Sequence, residues 1–246
     1  MILLYSATGN TVCVARQLGR LLGEEVVSLH EADANRLKGQ QRIVWCFPIH
    51  SWGMPKAVRG FIDSLVMPAE SKHIMVCTCG DDIGMADYQW RKALAKRGAT
   101  GGAAFSVQMP NTYVALPGFD VDSPEVVSLK LKQAAVRVEE IARAIYADEP
   151  VGSVVRGAFA RVKTGLLYPL FMRFLTHASR FTVNDDCVGC GKCLLAKCGY
   201  IELKEGRPIW RHERCNMCMA CYHSCPRHAI NYTRFTRKKG QYLANQ

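Results

Sequence analysis

Eight of the twelve cysteines of this 246-residue chain lie in one stretch, between Cys187 and Cys225. Disulfide scaffolds of that density belong to small secreted domains, whereas this chain is long enough for a full core and opens on an apolar run without an export-signal pattern. Metal ligation is therefore the better interpretation, and it confines the metal chemistry to the C-terminal part. The remaining cysteines are scattered through the first half: Cys13, Cys46, Cys77 and Cys79.

The later of two cysteine runs has a specific spacing. It reads Cys215-x2-Cys218-x2-Cys221-x3-Cys225, followed by Pro226. This spacing matches the bacterial ferredoxin run, in which three thiolates bind one 4Fe-4S cube and the fourth reaches the other cluster. A zinc site would need only four ligands in paired sets, so the third cysteine at x2 spacing argues against zinc. We expect this run to hold an iron-sulfur cluster.

The earlier run departs slightly from that pattern. It reads Cys187-x2-Cys190-x2-Cys193-x4-Cys198, followed by Gly199. One extra residue precedes the fourth cysteine, and glycine stands where proline is usual. Because the departure touches only Cys198, it puts the geometry of one cluster in question rather than its existence.

The first 149 residues alternate short apolar runs with segments of helical period. The predicted strands are 2–5, 26–29, 43–47, 74–78 and 103–107, and the predicted helices are 10–22, 55–65, 86–97 and 123–146. This alternation predicts βαβ units and a doubly wound, parallel five-stranded sheet in an α/β domain.

A hydroxyl-rich turn follows the first strand and opens the first helix. Its residues are Ser6, Ala7, Thr8, Gly9, Asn10 and Thr11. Backbone N–H groups and the helix dipole make such a turn an anion site, and a phosphate monoester is the natural occupant, because no GxxxxGK[ST] or GxGxxG pattern is present. The alternative is an ordinary helix cap.

Three further loops follow strands 3, 4 and 5, so the rule for doubly wound sheets brings them to one pocket with the turn. Their candidate ligand-binding residues are Pro48, Ile49, His50, Ser51, Trp52 and Gly53, then Thr78, Cys79, Gly80 and Asp81, then Asn111 and Tyr113. At these residues the chain resembles the flavodoxins, whose phosphate turn has the pattern [ST]-x-T-G-N-[ST]. The resemblance implies FMN, with Trp52 stacked on the flavin ring and Gly53 allowing the peptide movement that serves the reduced flavin.

Two side chains are candidate catalytic groups. His50 has a reference pKa near neutrality and is a possible proton donor, although a hydrogen-bonded structural histidine is the favoured alternative. Tyr113 lies where it would touch the ring. Cys13, Cys46 and Cys77 fit small buried apolar residues. Cys79 is expected in a loop facing the flavin, where a structural thiol is favoured over a redox-active one.

Charge divides the chain as the cysteines do. Residues 1–148 carry a net charge of +1 and residues 149–246 carry +10, which indicates an anionic partner or offsets the negative charge of thiolate-bound clusters. Residues 150–184 contain no Asp or Glu. We predict a basic amphipathic connector at 150–180 that packs on the protein itself; the alternatives are an interfacial membrane helix and a partner-docking surface.

The union of both halves resembles the flavodoxin–ferredoxin fusion proteins, also described as EFR1-type ferredoxins. The motifs SATGNT, FPIHSWGMP and MPNTY and both cysteine runs carry this resemblance over nearly the whole length. It implies a flavodoxin-like domain at 1–149 and a small α+β bacterial ferredoxin-like domain with a basic tail at 181–246. It also implies two 4Fe-4S clusters with crossed ligands: Cys187, Cys190, Cys193 and Cys225 for one, and Cys215, Cys218, Cys221 and Cys198 for the other.

Three functions are compatible with these features. The leading hypothesis is a cytoplasmic, anaerobic relay of low-potential electrons between a ferredoxin-type donor and a redox enzyme. The second is a terminal flavin-dependent reductase of a small organic substrate. The third, a redox-sensing regulator that binds nucleic acid, rests only on the basic tail 234–239, for which a solvated tail is the simpler interpretation. The sequence leaves the oligomeric state open, and no run of about 20 apolar residues is present to cross a membrane.

Overall fold

A computed structural model describes residues 1–196, 200–211, 213 and 215–244 of the chain. Five parallel strands form its main sheet in the order β2-β1-β3-β4-β5. The strands are β1 (Ile2–Leu4), β2 (Val26–Ser28), β3 (Arg42–Pro48), β4 (Lys72–Cys79) and β5 (Gly101–Gln108). This is the flavodoxin-like strand order, and it confirms the α/β doubly wound sheet that the sequence predicts.

Helices cover both faces of this sheet. They are α1 (Asn10–Leu22), the short α2 (Ala34–Leu37), α3 (Lys56–Ser64), α4 (Ala86–Ala95) and α5 (Pro124–Tyr146). One core packs α3 and α4 against the sheet around Trp45 and Trp90, and a second packs α1 and α5 around Leu18 and Ile141. Because both faces are covered, the strands read as nearly continuous apolar runs. Of these helices, only α2 was not predicted.

The connector begins in extended form and then becomes a continuous helical segment. This segment consists of α6 (Ala160–Val162), a π-helical turn (Lys163–Leu167) and α7 (Tyr168–Phe174). Pro169 lies in the first turn of α7, directly after this π turn. Proline and π turns are both sites where the regular helical hydrogen bonding is interrupted.

The C-terminal part contains two small antiparallel sheets. Strand β6 (Phe181–Val183) pairs with β9 (Ile230–Tyr232), and β7 (Ile201–Lys204) pairs with β8 (Arg207–Trp210). A single turn of helix, α8 (Ala220–His223), lies within the second cysteine run and contains Cys221. The region is thus a small α+β unit, as predicted.

A third core joins the C-terminal part to the rest of the molecule. It packs Val114, which follows β5, and Phe171 of the connector around Met217 and Tyr222. His223 Nε2 lies 2.7 Å from the Thr112 carbonyl, and Lys239 Nζ donates to the Val114 carbonyl at 2.8 Å. The C-terminal part therefore shares a core with the connector and with the segment that follows β5.

Within the described part of the chain, no helix has both the length and the apolar composition that crossing a bilayer requires.

Candidate functional site

A cavity of about 570 Å³ opens at the carboxyl ends of the strands. Sixteen of the eighteen predicted ligand-binding residues line it. The other two, Gly9 and Gly53, are buried and are sequence neighbours of lining residues. In a sheet of this order the ligand crevice lies beyond these strand ends, where the order reverses. The chain thus brings its four candidate loops to one place.

The turn after β1 supplies unsatisfied polar atoms to this cavity. Ser6 Oγ and Asn10 Oδ1 are buried without a hydrogen-bond partner, whereas Asn10 Nδ2 donates to the Pro110 carbonyl at 2.8 Å. Thr11 and Thr78 join their hydroxyls at 2.8 Å, which ties the turn to the end of β4. Buried polar atoms are rarely left unpaired in proteins. A polar ligand in the cavity would satisfy these two.

Gly9 caps α1 in a conformation that requires glycine. Its φ is +95°, and a Cβ atom there would stand 2.9 Å from the Ala244 carbonyl oxygen. The Ala244 N–H donates to the Thr8 carbonyl at 3.0 Å. The C-terminal residues therefore pack on the back of the anion-binding turn, a contact that the sequence did not reveal.

The loop after β3 makes a tight turn with strained backbone. His50 and Gly53 exchange backbone hydrogen bonds of 3.0 Å each, and both residues between them have positive φ: Ser51 (+46°) and Trp52 (+63°). Such backbone costs roughly 1–3 kcal/mol per residue and clusters at binding sites. Gly53 lies under the ring of Tyr168, where a Cβ would approach to 2.3 Å.

Trp52, which the resemblance to flavodoxins places against the flavin ring, is half-buried. The Lys163 ammonium lies 5.4 Å from its ring centroid, and Thr164 Oγ1 donates to its carbonyl at 2.7 Å. Both contacts come from the connector. The ring still lines the cavity, so one side of it remains available to a ligand.

The environment of His50 argues against a charged proton donor. Burial lowers the pKa of His50 to about 4, against the raising effect of a hydrogen bond with the Asn216 backbone. The imidazole is therefore neutral near pH 7. Because Asn216 lies between Cys215 and Met217, this bond joins the predicted flavin loop to the second cysteine run.

Tyr113 is the other candidate. Burial raises the pKa of Tyr113, and its hydroxyl is buried without a partner. Its ring packs edge-on against Phe119 and Phe171. A protonated hydroxyl aimed at a polar ligand can donate one hydrogen bond.

Three of the four scattered cysteines are buried, and one of these, Cys79, lies in a strand and not in the predicted loop. Cys46 and Cys77 are buried and Cys13 partly so. Cys79 is the last residue of β4 rather than part of a loop, because β4 pairs with β5 one residue beyond the predicted end. Burial raises the pKa of Cys79 to about 12, so its thiol stays protonated although it touches the cavity.

The connector closes one side of the cavity, which sequence reasoning missed. Five of its side chains contribute to the lining: Leu167, Leu170, Phe171, Phe174 and Leu175. The segment is held by Tyr168 Oη, which donates to the Met54 carbonyl at 2.7 Å, and by the Lys163–Asp82 ion pair. The sequence shows the helical spacing of the connector's apolar residues, but it does not show which surface of the protein they cover.

The second cysteine run reaches the same cavity. Met217 and Cys218 line it, although neither Met217 nor its neighbours were predicted to. Cys215 and Cys221 are buried beside it, and the Met217 N–H donates to Cys215 Sγ at 3.3 Å. The predicted fourth ligand of this cluster, Cys198, lies outside the described residues.

The first cysteine run surrounds a separate, smaller cavity with Cys225. Its lining includes four thiols: Cys187, Cys190, Cys193 and Cys225. These are the four that the crossed pairing assigns to one cluster. Cys190 is exposed, and the Ala229 N–H donates to Cys225 Sγ at 3.2 Å. Hydrogen bonds to ligand sulfurs are among the factors that set cluster potentials.

Among the described residues, no three His, Cys, Asp or Glu side chains are placed to hold one metal ion. Four zinc ligands must converge within about 2.3 Å of a single point. A cube is bound instead at four separate irons, so its thiolates stand further apart. The four thiols that line the smaller cavity equal in number the irons of such a cube.

Comparison with known families supports this assignment for the second run. Residues 208–231, which include Cys215, Cys218, Cys221 and Cys225, match the family described as 4Fe-4S binding domain. A search of curated proteins gave no match.

Solved structures similar to the chain include several flavodoxins. The Streptococcus pneumoniae TIGR4 flavodoxin is 16% identical over 60% of this chain and 97% of its own, with a TM-score of 0.42. The Megasphaera elsdenii flavodoxin is 22% identical over 55% and 96%, with a TM-score of 0.38. Rubredoxin oxygen:oxidoreductase from Desulfovibrio gigas is 17% identical over 59% and 35%, with a TM-score of 0.40.

The main sheet has the flavodoxin-like strand order, and residues 208–231 match a 4Fe-4S binding domain. The chain is a fusion of a flavodoxin-like α/β fold with a 4Fe-4S binding region.

Proposed function

We propose that this protein transfers electrons between FMN and two 4Fe-4S clusters. As a relay, it would connect a ferredoxin-type donor with a redox enzyme in a reducing compartment such as the cytoplasm, where thiolate ligands persist. One observation carries the proposal: the loops of the flavodoxin-like fold and residues Met217 and Cys218 of the second cysteine run line the same cavity.

The cavity fits FMN on the chemistry of its lining. The turn 6–11 offers backbone N–H groups and hydroxyls at a helix N-terminus for the phosphate. Asn10 Oδ1 and Ser6 Oγ, both buried and unpaired, suit the hydroxyl-rich chain of FMN. Trp52 and Tyr113 supply aromatic faces for a planar ring.

The two cysteine sets fit cubes. Cys187, Cys190, Cys193 and Cys225 would hold one, while Cys215, Cys218 and Cys221 would supply three ligands of the other. When bound, a cube passes single electrons and the flavin accepts one or two, so their union permits single electrons to be gathered or released as pairs.

Several residues where the cavity meets the second cysteine run are apolar or uncharged, which disfavours water and charge there. Phe171 and Leu175 cover the cavity from the connector. Neutral His50 bridges to the Asn216 backbone and holds the loop after β3 beside the second run. Cys79 remains a protonated thiol and adds no charge.

The relay is tested with anaerobically reconstituted protein. It should contain one FMN and about 8 Fe per chain. An excess of reduced small ferredoxin, enough to supply two electrons to the flavin and one to each cluster, should bleach the flavin absorbance in a stopped-flow trace. The Cys221→Ala variant should keep FMN but lose this reduction, while dithionite still reduces its flavin. Equal reduction of both proteins by ferredoxin would refute the relay.

A terminal reductase is the second candidate, because of the cavity's apolar side. Leu116, Phe119 and Leu170 line it together with the polar loops, a mixture typical of small-molecule sites. Repeated turnover of a small organic acceptor by the isolated protein, with no protein acceptor present, would favour the reductase. A single round of oxidation that stops when the bound cofactors are oxidised would favour the relay.

A further inference from the structure

The helical segment of the connector has an apolar row that the protein does not cover. Its members are spaced three or four residues apart and are 43–79% exposed: Phe159, Val162, Leu166, Leu170 and Phe174. Large apolar side chains scattered singly on a surface need no explanation, but a continuous row on one helix indicates an interaction site.

The opposite face of the same segment is fixed to the protein. Thr164 is buried and bonded to the Trp52 carbonyl, Tyr168 donates to Met54, and Phe171 packs on Tyr113. The orientation of the segment is therefore determined, and the exposed row does not result from loose packing. Leu170 and Phe174 also border the large cavity, whereas Phe159, Val162 and Leu166 do not.

The charged residues of this segment itself are all basic. Arg161 and Arg173 are exposed. They begin and end a neighbouring row of residues spaced four apart, with Gly165 and Pro169 between them. No Asp or Glu occurs between residues 150 and 184. The basic side chains that face inward are neutralised instead, as Lys163 pairs with Asp82 and Arg156 with Asp87.

We propose that this face is a peripheral membrane anchor that binds a lipid surface rich in anionic headgroups. A helix lying along the protein surface with apolar side chains outward and arginines beside them has the composition of interfacial helices. A bilayer needs no complementary shape, which suits a single convex helix better than a protein groove would. Arginines at such a surface add attraction to anionic headgroups. The proposal does not depend on which cofactor the cavity holds.

The test is co-sedimentation of the cofactor-loaded protein with vesicles at about 0.1 M salt. The probes are vesicles of equal parts phosphatidylglycerol and phosphatidylcholine, and vesicles of phosphatidylcholine alone. The parent protein should sediment with the first and only weakly with the second. Leu166→Asp should weaken partitioning about tenfold or more, and Arg161→Gln about fivefold.

The matched control is Val136→Asp, which places the same charge on a similarly exposed valine of α5, 56% exposed. It should bind vesicles as the parent does. Bound FMN and the unfolding midpoint, measured on each variant, should be unchanged because all three side chains are exposed and lie outside the cavity lining.

Four results would overturn the proposal. The first is a parent that does not sediment with the anionic vesicles, and the second is a parent that binds pure phosphatidylcholine equally well. The third is a loss of binding in Val136→Asp as large as that in Leu166→Asp. The fourth is a parent dimer in sedimentation velocity that Leu166→Asp converts to monomer, which would assign the face to a second copy of the chain.

Discussion

The two cysteine runs have nearly the same spacing but lie in different surroundings. Cys187, Cys190 and Cys193 surround their own small cavity with Cys225, and Cys190 reaches solvent. The run that begins at Cys215 is enclosed by the third core and opens on the large cavity instead. Two runs with nearly the same cysteine spacing therefore differ in position: the first lies at the surface, and the second lies inside the molecule beside the large cavity.

This difference gives each run a separate role in the proposed relay. Cluster potentials depend on solvent exposure and on hydrogen bonds to the sulfurs, so the two clusters should differ in potential. The run nearer the large cavity is suited to exchange electrons with the flavin. The exposed run is suited to meet an external redox protein.

The largest expected effect comes from removing one ligand of each proposed cluster. Cys225→Ala should lose the cluster of the exposed run, and Cys221→Ala that of the enclosed run, each at a cost of about 4 Fe per chain. Iron analysis and EPR of the reduced proteins measure this. Cys46→Ala, which removes a buried cysteine from the main sheet, should keep the full iron content. If both ligand variants lose the same EPR signal, the crossed pairing is wrong.

Asn10→Leu should separate the flavin site from the iron sites. The substitution removes an unpaired acceptor in the cavity and the bond to Pro110, so FMN affinity should fall about tenfold or more. Titration of the FMN-free protein with FMN, followed by fluorescence, measures the change. The exposed Asn35→Leu serves as control and should have no effect. Iron content should stay unchanged in both, and its loss in Asn10→Leu would show that the two regions fold as one.

Asp87 holds the connector in place from inside the flavodoxin-like fold. Burial would raise the pKa of Asp87, but hydrogen bonds from Arg156 and Arg91 keep it below its ordinary value. Asp87→Asn should lower the free energy of unfolding by about 1–3 kcal/mol, because a neutral amide replaces the buried carboxylate and accepts weaker hydrogen bonds from the two partly exposed arginines. Denaturant unfolding at neutral pH measures this, with the exposed Asp63→Asn as control. An unchanged stability would mean that the ion pair does not fix the connector.

The sequence allowed the sheet and most of the cavity to be predicted, because both follow from local patterns. Apolar runs at regular spacing specify strands, and the rule for doubly wound sheets brings the loops after them together. The contacts of Met217, Phe171 and Ala244 could not be predicted in this way. Each lies more than 50 residues from the loops that it touches, and only tertiary packing specifies which surface its segment covers.

The smallest expected effect concerns His50, which bridges the cavity loop to the enclosed run. Its pKa is lowered from 6.5 to about 4 in the folded protein, so below pH 6.5 the unfolded chain binds a proton that the folded one does not. Stability should therefore fall as pH drops through 6.5, by about 1 kcal/mol at about pH 5.5. His50→Gln should flatten this dependence. NMR titration should show no protonation of His50 between about pH 8 and 5.5, and a midpoint near 6.5 would contradict its burial.

The central claim is that the enclosed run, rather than the exposed one, adjoins the flavin. The most direct measurement is the EPR relaxation of the one-electron-reduced flavin in cofactor-loaded protein whose clusters are also reduced, since a nearby paramagnetic cluster speeds it. We predict fast relaxation in the parent and in Cys225→Ala, and slow relaxation in Cys221→Ala. Fast relaxation in Cys221→Ala together with slow relaxation in Cys225→Ala would contradict the account.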